Sequence, residues 1–221
     1  MYQKDYILRM IEQLRVVLAR ILFNKELKNY DQAQLELDTA FNGLLKFDPD
    51  VIISMSGKEL MELVRSAEGI PAEKYIVMAE LIRENAELLE LRRTFEFTVT
   101  DLYMKSFSFY MEFIDAAGEI DTSQYIQTLL KIEKKLAQVE WPDSFKMRLF
   151  RFYELIGNYA KAEDMLFDIL KTSPDEAEQP GRDFYDRLLR KSVQELEAGN
   201  LPHDEVLEGM QSFKMKLGEK N

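Results

Sequence analysis

Carboxylates are the side chains of this chain whose number and spacing could do chemistry. Glu80, Glu84 and Glu87 recur at intervals of four and three residues, which places them on one face of a helix, and Glu163-Asp164 form a second pair. Paired carboxylates perform acid–base work or hold magnesium where burial shifts their pKa values. On an acidic amphipathic helix the same spacing predicts a solvated face, and that is the expectation here. The single histidine, His203, directly follows Pro202 and is expected to be an exposed turn residue at the start of a helix. One imidazole and no cysteine cannot furnish a zinc site, a pair of Glu-x-x-His motifs or a credible Ser-His-Asp arrangement. Ser56-Gly57-Lys58 has the ending of a phosphate-binding loop, but Ile52-Ile53-Ser54-Met55 stands where the earlier glycine is required and no strand precedes it. Catalytic, cofactor-binding and metal-ligating residues are therefore all assigned as none, and no cofactor is expected.

The composition belongs to a soluble globular chain of 221 residues, 46% hydrophobic and 31% charged, long enough to bury a core without staples. Nine glycines and six prolines are sparse punctuation, which suits a mostly helical fold. The absence of cysteine fits a cytoplasmic protein. The first helix is interrupted by Arg9, Glu12, Arg15 and Arg20, so neither a signal peptide nor a membrane span is expected. Net charge is −11, concentrated in residues 51–121, where seven basic side chains face fourteen acidic ones. Such a surface repels phosphate backbones and disfavours nucleic-acid binding.

The elements that would position any site read as about ten helices. The first spans Lys4 to Phe23, with Ile7, Met10, Ile11, Leu14, Val17, Leu18 and Ile21 on one face. Asn29-Tyr30 opens a second through Ala33, Leu37 and Leu45, ended by Asp48-Pro49-Asp50. Ser56 and Glu59 form a capping box for a short helix, Gly69-Ile70-Pro71 breaks it, and a helix from Tyr75 to Leu89 follows. An aromatic helix then runs to about Ala117, with a break near Arg92-Arg93-Thr94 before it and Gly118 after it. Tyr103, Phe107 and Tyr110 make one stripe, and Phe109 and Phe113 lie partly on another. Burial between neighbouring helices is expected, the sharper alternative being a homodimer or partner interface on the second side. Asp121 with Gln124 caps the next helix, and Trp141-Pro142-Asp143 starts the one after. Gln179-Pro180-Gly181 reads as a loop. Helices over about Arg182–Ala198 and Asp204–Leu217 close the chain.

Between Leu149 and Pro174 the chain reads as helix, tight turn at Gly157, helix, with the small residue Ala162 at the contact. Asn29-Tyr30-x-x-Ala33 parallels Asn158-Tyr159-x-x-Ala162, and each copy runs on to a Pro-Asp pair. This pattern resembles a tetratricopeptide repeat, a helical pair that buries its apolar face only by stacking on neighbours. The opening Tyr2-Gln3-Lys4-Asp5-Tyr6-Ile7-Leu8-Arg9-Met10-Ile11-Glu12-Gln13, Tyr159-Ala160-Lys161-Ala162-Glu163-Asp164 and Glu197-Ala198-Gly199-Asn200-Leu201-Pro202 together resemble an uncharacterised bacterial family of tetratricopeptide-like proteins, a domain of unknown function. The resemblance implies an all-α fold of antiparallel helical hairpins stacked in a tetratricopeptide-like, α-solenoid-like arrangement, and a cytoplasmic bacterial setting. It implies no activity. Residues 92–98 depart from it, because Thr94-Phe95-Glu96 stands where a glycine-containing turn belongs.

One domain over residues 1–221 is expected, with sub-halves 1–118 and 119–221 as a further division. The leading expectation for function is a non-catalytic cytoplasmic adaptor or scaffold that binds a protein or peptide, with no nucleic acid and no membrane as partner. The alternatives are an enzyme or small-ligand sensor with a pocket between helical layers, and a self-assembling protein, a homodimer included. In repeat units of this kind the first helix of each pair lines the groove, here about Ser144–Ile156. Leu149, Phe152, Tyr153 and Ile156 form its packed face. Met147, Arg151 and Glu154 form a second stripe and are the candidate partner-binding residues, with Met147 for adaptable apolar contact and Arg151 for a partner carboxylate.

Overall fold

The computed structural model describes residues 2–66, 73–93, 96–117 and 121–218, with side chains described from residue 9 onward. Among these residues the fold is all-helical, with no strand, and sequential helices pack as adjacent pairs. Among these residues are twelve α-helices and one π-helical turn, against the ten expected, because a short helix follows Asp48 and the stretch expected as one helix over 182–198 belongs to two. The chain divides into two compact units, Met1–Val139 and Glu140–Asn221.

The first unit begins with α1 (Tyr2–Glu26) and α2 (Tyr30–Ala40), an antiparallel pair. Lys28 makes the turn between them in the left-handed region, at φ 58°. The Lys28 N–H bonds the Lys25 carbonyl and the Asn29 N–H reaches back to that of Asn24, which satisfies two of the last carbonyls of α1. Met10, Leu14 and Ile21 of α1 are buried, as are Ala33 and Leu37 of α2. At Phe41 the helix widens into a π turn, Phe41–Leu45, that ends at a left-handed Lys46. Asp48 then caps α3 (Pro49–Ser54), its carboxylate accepting the Asp50 N–H at 2.9 Å. Pro49 therefore starts a helix rather than ending one, the first-turn position where its missing N–H costs nothing.

The capping box at α4 (Gly57–Ser66) is present: the Ser56 N–H donates to Glu59 at 2.9 Å and the Glu59 N–H donates to the Ser56 hydroxyl at 3.2 Å. Two long helices, α5 (Glu73–Leu91) and α6 (Glu96–Ala116), form the tightest pair of this unit. Both are buried on more than one side, as a helix covered by several neighbours must be. Tyr103, Phe107 and Tyr110 are buried, and so are Phe109 and Phe113, so the second aromatic stripe is core and offers no interface. The break expected near Arg92-Arg93-Thr94 is present as far as it is described, with α5 ending at Leu91 and Arg93 left-handed at φ 55°, while Thr94, Gly69-Ile70-Pro71 and Gly118 lie outside the described residues. Lys105 of α6 is buried, paired with Asp101, and donates to the Ile52 and Ile53 carbonyls at 3.0 and 3.2 Å. It thus serves the C-terminal carbonyls of α3, a helix too short to do without outside donors. At α7 (Ser123–Lys135), Asp121 accepts the Ser123 N–H at 2.9 Å instead of forming a reciprocal box with Gln124.

The second unit is built on α8 (Asp143–Leu155) and α9 (Tyr159–Thr172). Gly157 turns between them at φ 73°, with Gly157 N–H to the Glu154 carbonyl and Asn158 N–H to that of Tyr153. This is the same pair of bonds that closes α1, so the internal repeat in the sequence is a repeat of geometry. Ala162 is fully buried, as its spacing predicts. The expected loop at Gln179-Pro180-Gly181 is instead the middle of α10 (Pro174–Leu188). Gly181 lies beneath the Phe213 ring of α12 (His203–Lys216), where an added Cβ would come within 2.2 Å of a ring carbon. Ala177, Phe184, Tyr185 and Leu188 carry one buried face straight across the proline, and this packing overrides the breaker residues. The expected helix over 182–198 is divided, because Ser192 caps a separate α11 (Val193–Ala198) through a complete capping box with Glu195.

Candidate functional site

The carboxylate row of α5 is not solvated. Lys25, at the end of α1, donates to Glu84 at 2.6 Å and to Glu87 at 2.7 Å. Arg83 bridges Glu80 at 2.8 Å and Glu84 at 2.6 Å, also bonds Glu87, and donates to the Tyr110 hydroxyl at 3.3 Å. Glu84 is only 6% exposed. Burial works against the charge of Glu87, yet Arg83 and Lys25 hold its pKa below the usual carboxylate range. Burial likewise opposes the Lys25 charge, and Glu84 and Glu87 outweigh it to hold its pKa up. These carboxylates are spent on cations of the same chain, so none stands ready as a base. The cluster fastens α1 to α5, and removing one partner of such a set typically costs about 3–5 kcal/mol.

On α5, one residue after Glu84, the accounting fails. Asn85 is 1% exposed, and neither its amide nitrogen nor its amide oxygen has a hydrogen-bond partner among the described residues. Leaving a buried polar group unmade costs about 1–3 kcal/mol. Asn85 lines a cavity of about 450 Å³ together with Gln34 and Asp38 of α2, Asn42 of the π turn, Asp48 and Asp50 at the head of α3, and Leu89 of α5. Here Asp38 accepts from Gln34 at 2.8 Å, and the Asn42 amide donates to the Asp38 carbonyl at 3.0 Å. No spacing rule flags Asn85. Nearby in the sequence stand only Asp48-Pro49-Asp50 and a spacing from Tyr30 to Pro49 four residues longer than that from Tyr159 to Pro174 in the other repeat copy.

A second concavity, of about 510 Å³, runs between α1 and α2 and the π turn, past Val16, Val17, Arg20, Ala40 and Leu44. Arg9, Gln13, Val16, Arg20 and Phe23 follow one another on α1 at alternating steps of four and three, and Leu27, just past its end, continues the series. Phe23 is 59% and Leu27 63% exposed, and Leu35 of α2 is exposed as well.

The residues expected to meet a partner lie on α8. Met147 is half-buried and Arg151 exposed, and Glu154 is gripped by Arg187 of α10 at 2.6 and 2.8 Å. Leu149, Phe152 and Tyr153 form the buried face as expected, while Ile156 is half-buried. His203 is exposed at the start of α12. Among the described residues no group of three or more Asp, Glu or His side chains is placed to hold a metal ion, and no helix is long and apolar enough to cross a membrane.

An all-helical scaffold with paired helices and an internal repeat defines the class of protein. Residues 1–218 match the model of a family of unknown function, DUF6483, and the chain belongs to that family. No curated protein and no solved structure matches it.

Proposed function

We propose that this protein is a non-catalytic, cytoplasmic interaction protein of a bacterial, tetratricopeptide-like type, and that it receives an amphipathic helix of a partner protein along the α1–α2 groove. The observation that carries this reading is the exposed Val16 in the groove beside Ala40 and Leu44, with the exposed Phe23 and Leu27 further along the same helical spacing. Soluble chains rarely leave aligned large apolar side chains in water without a use for them. From Arg9 to Leu27 this series is about 27 Å long, enough for some five turns of an incoming helix. Arg9 and Arg20 punctuate it, and Arg20 meets Glu36 only at 3.6 Å while remaining largely exposed. Glu12 and Glu36 line the same groove, so a partner helix whose apolar positions alternate with charges of both signs is favoured.

The test is photocrosslinking in the native cell, with the crosslinker placed at Val16 or at Met147. Capture from position 16 that is lost when Phe23→Glu and Arg20→Glu are combined supports the groove. Capture from position 147 that is lost with Arg151→Glu would move the site to the Met147–Arg151–Glu154 stripe and overturn the groove reading. A crosslink of the chain to itself from position 16 would replace the partner with self-assembly.

A further inference from the structure

We infer that the cavity around Asn85 binds a small organic cation, an aliphatic amine or guanidine bearing N–H donors. Three observations converge there. The first is Asn85 itself, a carboxamide 1% exposed, lining the cavity with both of its polar atoms unpartnered among the described residues. Turned toward the cavity, its oxygen would accept from a ligand N–H. Burial of an unbonded amide is the kind of stability cost that folds retain where something else uses the group.

The second observation is charge. Asp38, Asp48 and Asp50 line the cavity, and no lysine or arginine does among the described residues. Asp38 and Asp48 each accept a bond within the chain, from Gln34 and from the Asp50 N–H. A carboxylate has room for several donors, so each retains acceptor capacity. A bare metal ion fits poorly, because among the described residues no three carboxylates converge on one point. An organic cation, whose N–H groups are spread over several ångströms, can address separated carboxylates while its carbon chain rests on Leu89 and Ile53.

The third observation is the backbone. The π turn Phe41–Leu45 ends the helix at the cavity wall, and Asn42 from that turn lines the cavity. A π turn is a rare conformation, and here it sets the wall of the cavity. The extra length of this copy of the repeat is spent here, and α9 of the second copy carries no such turn.

Isothermal titration with putrescine and with agmatine, using the full chain, tests the proposal. Saturable binding of at least one of them is expected, weakened at least tenfold in Asp50→Asn and in Asn85→Leu. Because the chain is strongly acidic, Asp164→Asn, far from this cavity in sequence and in the other unit, serves as the control and should bind as the parent does. Asn85→Leu supplies a second readout: its melting temperature should rise, since the unpartnered amide is gone, while binding is lost. The proposal is overturned if neither amine binds at millimolar concentration. It is equally overturned if Asp164→Asn weakens binding as much as Asp50→Asn, if magnesium alone saturates the same site, or if Asn85→Leu binds unchanged. Should Asn85→Leu fail to fold, Asp50→Asn against Asp164→Asn decides the matter.

Discussion

Glu163 shows how little of a carboxylate's behaviour its neighbours in sequence reveal. It stands on α9, accepts the Tyr185 hydroxyl of α10 at 2.7 Å and lies against Gly209 of α12, where a Cβ would collide with its oxygen. Burial raises its pKa, with Asp164 and Glu205 adding to the rise, and the Tyr185 bond only partly opposes them. A raised carboxyl pKa means that the folded chain holds a proton the unfolded chain has already released. Stability contributed by this group is therefore complete below the unfolded value, about 4.3, and falls as pH rises to the folded value. Glu87, held down by Arg83 and Lys25, has the opposite sign, so the total profile mixes both. Glu163→Gln keeps an oxygen for Tyr185 and removes the ionisation. The stability difference between variant and parent should grow in the variant's favour as pH rises above 4.3 and level off past the folded value, read from urea unfolding at a series of pH values. Parallel profiles would mean that Glu163 titrates as in the unfolded chain. The α5 row misled for a related reason. Its spacing was legible, but Lys25 stands 59 residues from Glu84, and no local pattern announces that encounter.

At the scale of elements, local sequence governed where it had a short-range device to express. The turns after α1 and α8 and the box at Ser56 all follow from bonds spanning a few residues. The Pro180-Gly181 pair was misread because its helix depends on a contact with Phe213, thirty-two residues beyond Gly181. Asn85 was invisible for the opposite reason, since a missing bond leaves no pattern. The cost of Pro180 should still be measurable. Its ring removes one helical hydrogen bond and crowds the Glu176 carbonyl, effects of about 3 kcal/mol in an unperturbed helix interior. Pro180→Ala should raise stability by roughly 1–3 kcal/mol, since the existing geometry has already relaxed part of the clash, and should slow amide exchange around Glu176–Asp183. No gain in a chemical melt would show that α10 is wholly adapted to its proline. Gly181→Ala should do the reverse, because the Phe213 ring occupies the space a methyl needs.

Over the whole molecule, the division after Val139 has a thermodynamic consequence. The second unit, Glu140–Asn221, holds an aromatic core of its own: Phe150 meets Phe184 edge-on at 5.3 Å, Phe184 meets Tyr185 at the same distance, and Tyr185 meets Phe213 at 5.7 Å. Leu149, Leu166, Ile169, Leu196 and Val206 surround them, all buried to within a per cent. Each such side chain stabilises by about 1.5–3 kcal/mol when fully buried. The unit's helices close on one another as well: α9 contacts α8, α10 and α12, and the Ala160 N–H donates to the Gly199 carbonyl at the end of α11. A unit of this length with one continuous core is above the size at which single domains fold alone, and aromatic packing adds to its margin. The fragment 140–221 should therefore fold alone, with a helical circular-dichroism spectrum and a single cooperative melt. The stabilising effect of Pro180→Ala should carry over to it undiminished, since every contact of α10 described here lies inside the unit. A fragment that is helical but melts without cooperativity would show that its core is completed only in the full chain.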